Sequence, residues 1–182
     1  MGWITDLDFY ILDAVSKLRC DVLTPIMKAL SYAGTGGAVW IVICAVLIAV
    51  PRTRKIGIFA LIAMAVDYVS GGLILKHLVA RDRPYTLHPQ IDTIIKRPTS
   101  YSFPSGHTSS AVAATAAIFI QNKKLSIPFI ILAVMIMFSR LYFCVHYPSD
   151  IIGGIIHGIL WAAVTYITIR KFTEKKTGIP NE

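Results

Sequence analysis

Long apolar stretches separated by short polar segments dominate this chain. A helix needs about 20 mostly apolar residues to cross the hydrocarbon layer of a membrane. Five stretches predict such helices: residues 31–51, 56–75, 108–120, 125–139 and 151–169. The third is a run of Ala, Ser and Thr, which suits close helix packing in lipid. We therefore predict an all-α, polytopic membrane helix bundle with about five transmembrane spans.

The first thirty residues mix charged and apolar positions. A helix with this pattern is amphipathic and lies in the membrane interface. We expect no cleaved signal peptide, because acidic residues come before any basic ones. The predicted organisation is an amphipathic interfacial helical segment over residues 1–33, a transmembrane core over 34–172 and a cytoplasmic tail over 173–182.

The composition supports a membrane protein. The chain has 182 residues, of which 55% are hydrophobic and 15% charged, whereas soluble domains carry roughly 25% charged residues. This composition excludes a water-soluble globule and a disordered chain. The three cysteines form neither a CxxC pair nor a disulfide framework, so we interpret them as packing residues.

The positive charges indicate how the chain is oriented. Lys and Arg outnumber Asp and Glu by 18 to 10, and basic residues collect at 52–55, 123–124 and 170–176. All three groups fall on one side of the predicted bundle, which should be the cytoplasmic side together with the carboxyl terminus. The loops over 76–103 and 142–149 then face the extracytoplasmic side. A nucleic-acid partner is not expected, because no single exposed helix gathers the basic residues.

Three polar segments stand at the outer ends of the predicted spans. In the first, Lys76 and Arg83 are seven residues apart and share one face of an ideal helix. Pro84 disfavours helix at Arg83 and marks the predicted helix end. An ammonium and a guanidinium on one face could clamp a tetrahedral anion. The alternative is a pair of cations that anchor the helix at the membrane interface.

The second segment precedes the small-residue run. Ser105, Gly106 and His107 would stand at the start of a helix, where unpaired N–H groups and the helix dipole favour an anion. Gly106 would let a phosphate approach the main chain closely. His107 alone could equally be an interfacial or capping residue.

The third segment places His146 and Asp150 four residues apart around Pro148. A carboxylate that binds one imidazole nitrogen fixes the tautomer and leaves the other nitrogen free as a nucleophile. Arg140 lies six positions before His146, about 240° around a continuous helix. Both can face one site only if the helix ends between them, so we predict a break near Val145 or His146.

Together these segments resemble the type-2 phosphatidic acid phosphatase superfamily, whose signature reads K-x6-RP, PSGH and SR-x5-H-x3-D. The matching residues are Lys76, Arg83, Pro84, Pro104, Ser105, Gly106, His107, Ser139, Arg140, His146 and Asp150. The resemblance implies a six-helix core and metal-independent hydrolysis of a phosphate ester or anhydride. It implies no cofactor and no bound metal.

The resemblance also implies roles for the matching residues. His146 would attack phosphorus and form a phosphohistidine, with Asp150 orienting its ring. His107 would protonate the leaving oxygen. The remaining residues would bind the nonbridging oxygens: Lys76, Arg83, Ser105, Gly106 and Arg140.

The expected substrate is a lipid phosphate or diphosphate held among membrane lipids. By the same resemblance the candidates are undecaprenyl diphosphate, phosphatidylglycerol phosphate, phosphatidate and lipid A phosphates, and we favour an isoprenyl diphosphate or a glycerolipid phosphate. The 85–103 loop is a candidate determinant of head-group choice. One alternative is a transporter that uses Asp67 and His157, two ionisable residues inside predicted spans. We interpret them instead as buried polar groups that satisfy partners in the bundle, with His157 near Asp150. A vanadate-dependent haloperoxidase shares the same signature and is the other alternative.

Overall fold

A computed structural model describes residues 2–177 of the chain, with side chains described through Lys175. Residues 178–182, at the end of the predicted tail, lie outside the described residues. All regular structure in the described part is helical, which confirms the predicted all-α class. The helices are α1 (Trp3–Ser16), α2 (Leu23–Ala33), α3 (Ala38–Ala49), α4 (Arg54–Asp67), α5 (Lys76–Val79), α6 (Pro84–Leu87), α7 (Gly106–Gln121), α8 (Lys123–Tyr142) and α9 (Pro148–Thr177).

Helix α7 lies at the centre of the bundle and packs against α4, α8 and α9. Its alanines are fully buried at positions 111, 113, 114 and 117. Small side chains let helix backbones approach closely in lipid. The approach is closest at Gly158 of α9, where an added Cβ would lie 2.6 Å from the carbonyl oxygen of Ser109. The main chains of α7 and α9 therefore touch.

Three of the described helical segments are long and apolar enough to cross a membrane: Arg54–Leu87, Lys123–Tyr142 and Pro148–Lys175. A fourth is present if the bent pair Leu23–Ala33 and Thr35–Ala49 counts as one span. Helix α7 has 16 residues, about 24 Å of helix, which is less than the thickness of the hydrocarbon layer. The number of five spans stays a prediction.

The amino-terminal segment differs from the single predicted helix. It forms two helices, and α2 continues into the first predicted span through a 3-10 turn at Thr35–Gly37, with a bend of 54°. The prediction of an uninterrupted helix over 31–51 is therefore wrong. Gly36 and Gly37 have φ values of 61° and 72°, a backbone region that glycine adopts without steric cost. The predicted boundaries at 33/34 and 172/173 stay predictions.

A π-helical segment, Tyr68–Leu75, joins α4 to α5. On an ideal α-helix, Asp67 and Lys76 would lie half a turn apart. A π-helix has i to i+5 hydrogen bonds and more residues per turn, so each residue rotates less around the axis. Over eight residues this difference turns both side chains toward the interior, where Asp67 is 1% and Lys76 9% exposed.

Candidate active site

The connection between α8 and α9 carries a buried histidine–carboxylate pair. Helix α8 ends at Tyr142 and α9 begins at Pro148, so the predicted break between Arg140 and His146 is confirmed. Pro148 occupies the first helical position, which needs no N–H donor. Nδ1 of His146 lies 3.3 Å from Oδ2 of Asp150.

The Asp150 carboxylate is held by several donors besides His146. The hydroxyl of Ser102 donates to Oδ2 at 2.5 Å, and the backbone N–H of Tyr147 donates to the same oxygen at 2.9 Å. The second contact is half of a capping box, in which the third helical residue reaches back to the residue before the helix. The carboxylate therefore has a fixed orientation toward the His146 ring.

The geometry around His146 defines its tautomer. Nε2 faces a guanidinium N–H of Arg83 at 3.3 Å, so this nitrogen is the acceptor and Nδ1 carries the proton toward Asp150. Burial lowers the pKa of His146 well below its usual value, and the positive charges of Arg83 and Arg140 lower it further against the opposing effect of Asp150. The ring is therefore neutral at neutral pH, with a lone pair on Nε2.

Three buried cations belong to the first and third motifs, and one of them, Arg83, contacts this histidine. Lys76, Arg83 and Arg140 are 9%, 5% and 3% exposed. Lys76 Nζ donates to the carbonyl of Tyr101 at 2.6 Å, and Arg83 donates to the carbonyl of Val145 at 2.6 Å.

Lys76 and Arg83 do not share one helix face, so that prediction is wrong. Helix α5 ends at Val79, and Ala80 has a left-handed backbone conformation with φ 47°. Arg83 is extended at the start of α6. The two cations converge because the chain reverses between them, and both donate to the Tyr101 carbonyl.

Ser31 of α2 connects Arg140 to the second histidine. Its hydroxyl accepts a hydrogen bond from Arg140, and its carbonyl accepts from Nε2 of His107 at 3.1 Å. Gly34, one turn further along, leaves room for the imidazole, because an added Cβ would lie 2.8 Å from Cδ2 of His107. The bend after α2 thus forms one wall of the site.

The predicted helix start at the second motif is present. Ser105 precedes the first residue of α7, Gly106. Ser105 is fully buried, and its hydroxyl accepts from Thr108 at 3.0 Å. Nothing lies within 4 Å of the position that a Cβ on Gly106 would take, so the space next to this backbone is open. The first turn of α7 therefore presents N–H groups beside His107.

Several residues that contact the predicted site residues were not predicted, among them Ser31, Arg81 and Ser102. Asp8 was not predicted either, and it is connected to the site through Arg81 and Ser149. Asp8, Ser31 and Ser102 belong to helices or loops that have no periodic or motif signal for the site. Arg81 could have been considered, since it lies inside the first motif.

A second buried polar cluster lies deeper in the bundle. Nδ1 of His157 is 2.6 Å from Oδ1 of Asp67, and the hydroxyl of Ser109 donates to the other carboxylate oxygen at 2.9 Å. The indole N–H of Trp161 donates to Nε2 of His157 at 3.0 Å. The expected position of His157 near Asp150 is thus wrong, since its partner is Asp67. These contacts satisfy the polar groups, as the bundle interpretation requires.

An apolar cavity adjoins the second histidine. Its volume is about 440 Å³, and its lining includes Gly106, His107, Ile41, Leu61 and Tyr68. The lining residues come from the bend after α2, from α3, α4 and the π-helical segment, and from the start of α7. An apolar chain attached to an anion at His107 would find space here.

The fold and the site define a class of protein: a polytopic membrane helix bundle with two histidines and three buried cations at the ends of its helices. Residues 55–174 match the PAP2 superfamily, and the chain belongs to this family. The undecaprenyl-diphosphatase of Sulfolobus acidocaldarius is 36% identical over 77% of this chain and 65% of that protein. The undecaprenyl-diphosphatase BcrC of Bacillus subtilis is 32% identical over 49% of this chain and 48% of that protein.

A solved structure has the same fold. The PAP2-type phosphatidylglycerolphosphate phosphatase of Bacillus subtilis superimposes with a TM-score of 0.75, at 24% identity, over 94% of this chain and 88% of that chain. This match shows the fold, and three of the described helical segments are long and apolar enough to cross a membrane. The chain spans about half to two thirds of the length of the two curated relatives.

Proposed function

We propose that this protein is an integral membrane phosphatase that hydrolyses the diphosphate of a polyprenyl lipid. It is an enzyme that needs no metal, because its own cations supply the positive charge that the reaction requires. The reaction passes through a phosphohistidine on His146. The site faces the extracytoplasmic side, in keeping with the positive charges of the opposite loops.

The observation that carries this proposal is the cluster of buried, uncompensated cations. Buried charges in proteins are paired or bind a ligand. Within residues 2–177, none of Lys76, Arg83 and Arg140 lies within 4.0 Å of a carboxylate. Nε of Arg140 is buried, and no described residue accepts its hydrogen bond. An anion with several acceptor oxygens, such as a phosphoryl group, satisfies this arrangement.

The first step transfers the terminal phosphoryl group to the protein. The lone pair on Nε2 of His146 attacks phosphorus, a P–N bond forms, and the P–O bond to the lipid phosphate breaks. Asp150 stabilises the positive charge that develops on the ring. The three cations and the N–H groups at the start of α7 bind the nonbridging oxygens, whose charge is greatest in the transition state.

His107 acts as the acid and then as the base. His107 enters the reaction as the imidazolium, and its Nε2–H, which lies 3.1 Å from the Ser31 carbonyl oxygen in this structure, donates its proton to the departing oxygen. In the second step the neutral ring removes a proton from water and becomes the imidazolium again, and the water oxygen attacks phosphorus and breaks the P–N bond. The products are inorganic phosphate and the lipid monophosphate, and both histidines return to their starting state.

A prenyl substrate is favoured by two observations. Two relatives, at 36% and 32% identity, are undecaprenyl-diphosphatases. The apolar cavity that Gly106 and His107 help to line has a volume of about 440 Å³, which suits the part of one apolar chain next to the diphosphate. Glycerolipid phosphates remain the alternative substrates within the same reaction class.

The test is a panel of lipid phosphates assayed side by side. Purified protein in detergent is given undecaprenyl diphosphate, undecaprenyl phosphate, phosphatidylglycerol phosphate and phosphatidate, each with and without EDTA, and phosphate release is measured. We expect the diphosphate to have the highest kcat/KM and EDTA to have little effect. A glycerolipid phosphate as the best substrate would replace the prenyl assignment and leave the reaction class intact.

The variant His146→Ala tests the mechanism. We expect loss of phosphate release by at least about 1000-fold, because the nucleophile is removed. The matched control is His77→Ala, which removes an exposed histidine that contacts Leu73 and Tyr101. Normal turnover by folded His146→Ala protein would refute the proposed nucleophile.

A further inference from the structure

A half-buried bridge of charges connects the amino-terminal helix to the histidine–carboxylate pair. The guanidinium of Arg81 donates to Oδ1 of Asp150 at 2.7 Å and to Oδ2 of Asp8 at 2.8 Å. Asp8 belongs to α1 and is 3% exposed, and Asp150 is fully buried. Arg81 is thus the cation that pairs with both carboxylates.

Asp8 also completes the start of the helix that carries Asp150. Its Oδ1 accepts the backbone N–H of Ser149 at 2.9 Å, and its Oδ2 accepts the hydroxyl of Ser149 at 2.5 Å. The first N–H groups of a helix have no partner inside the helix, and a carboxylate beside them is favoured by the helix dipole. A residue of α1 therefore caps the first turn of α9.

Arg81 is itself fixed from three directions. It donates to the hydroxyl of Ser149 at 2.7 Å, its guanidinium lies 4.0 Å from the centre of the Tyr147 ring, and its carbonyl accepts from Ser102 at 2.8 Å. Ser102 in turn donates to Asp150. The Arg81 guanidinium thus binds Oδ1 of Asp150, and its backbone carbonyl binds the residue whose hydroxyl holds Oδ2.

We propose that Arg81 is a positioning residue of the reaction and that Asp8 holds it in place, so that the docking of α1 sets the orientation of the Asp150–His146 pair. This inference rests on the proposed function. With Oδ1 of Asp150 bound to Arg81, Oδ2 faces Nδ1 of His146 and selects the tautomer that exposes the Nε2 lone pair. Arg81 acts only through Asp150 and does not contact the phosphoryl group.

The inference predicts a particular pattern of kinetic losses. Arg81→Gln should lower kcat by about 10- to 100-fold with little change in KM, because misplacement of a catalytic group costs turnover more than binding. Arg81→Lys should recover part of the loss, because it restores the charge but not the fork of donors. Asp8→Asn should lower kcat by a smaller factor of about 3 to 10.

A double variant tests whether Asp8 acts through Arg81. If it does, adding Asp8→Asn to the Arg81→Gln protein lowers kcat little further. If the two residues act independently, the fold-losses in kcat of the two single variants multiply in the double variant. The matched control is Asp13→Asn, which removes an exposed acidic residue of the same helix whose partner is Lys17. Its kcat should equal that of the unmodified protein.

A spectroscopic readout makes the test independent of turnover. In full-length protein labelled with ¹⁵N-histidine in detergent, the ring nitrogens of His146 should report a single tautomer protonated at Nδ1, and Arg81→Gln should show a mixture of tautomers. The signals are assigned with His146→Asn.

The inference would be overturned if Arg81→Gln changed neither the tautomer of His146 nor kcat. It would also be overturned if the double variant lost kcat by the product of the two single-variant factors. If no lipid phosphate is hydrolysed by the unmodified protein, the proposed function fails while the tautomer measurement still decides on Arg81.

Discussion

The space that Gly34 leaves for His107 gives a sharp test of the site. Gly34 has φ −78° and ψ −10°, a right-handed helical conformation that alanine adopts without strain. The variant Gly34→Ala therefore changes side-chain space and leaves the backbone preference satisfied. The new Cβ would lie 2.8 Å from Cδ2 of His107 and 2.9 Å from Cγ2 of Ile136.

The size of the displacement follows from these distances. Ordinary carbon contacts begin at 3.4 Å, so the imidazole has to retreat by about 0.6 Å. A misplacement of about 1 Å can cost 100-fold in rate, so we expect kcat to fall by about 10- to 100-fold. Overpacking costs about 1–3 kcal/mol of stability, and the better helix propensity of alanine offsets part of that cost.

The assay compares kcat per folded molecule with thermal unfolding in detergent. The control is Gly57→Ala, where an added Cβ would lie 2.7 Å from the carbonyl oxygen of Cys44, between α3 and α4. We expect Gly57→Ala to lower stability with kcat retained, and Gly34→Ala to lower kcat with a smaller loss of stability. Retention of full kcat by Gly34→Ala would refute the assignment of His107 as the proton donor at this position.

Two further predictions concern the deep polar cluster and the orientation of the chain. Asp67→Ala should lower the free energy of unfolding by about 3 kcal/mol, because it leaves His157 without its buried carboxylate partner. Thermal unfolding measures this loss, and Asp13→Ala, an exposed site, should cause almost none. In cells that express a variant without the exposed native cysteine, Lys123→Cys should be protected from an impermeant thiol reagent and Gln90→Cys should react. The reverse labelling pattern would refute the proposed sidedness.

The sequence predicted the parts of this protein that depend on local pattern. The lengths of the apolar stretches located the long helices. The break between α8 and α9 was predicted from Pro148 and from the angle between Arg140 and His146 on a continuous helix. The motif residues were predicted to lie near one another, and the structure brings His146, Asp150 and Arg83 into contact.

The sequence could not predict features that depend on contacts between distant residues. Asp8 and Arg81 are 73 positions apart, and no periodic pattern relates them. The π-helical segment has no composition that distinguishes it from an apolar α-helix, so the inward rotation of Lys76 was missed. The bend at Gly36 and Gly37 did carry a signal, since two adjacent glycines interrupt the apolar run.

The contact between the main chains of α7 and α9 has a consequence for how such a protein could change its substrate. At Gly154 an added Cβ would lie 3.0 Å from the carbonyl oxygen of Ser105, and at Gly158 there is no room for any side chain. No described residue of α9 lines the apolar cavity, so this contact fixes the packing of α7 on α9 and leaves the width of the cavity to other helices. Under the proposed function, a change of lipid chain would therefore act on the residues of α3 and α4 that line the cavity, such as Ile41 and Leu61.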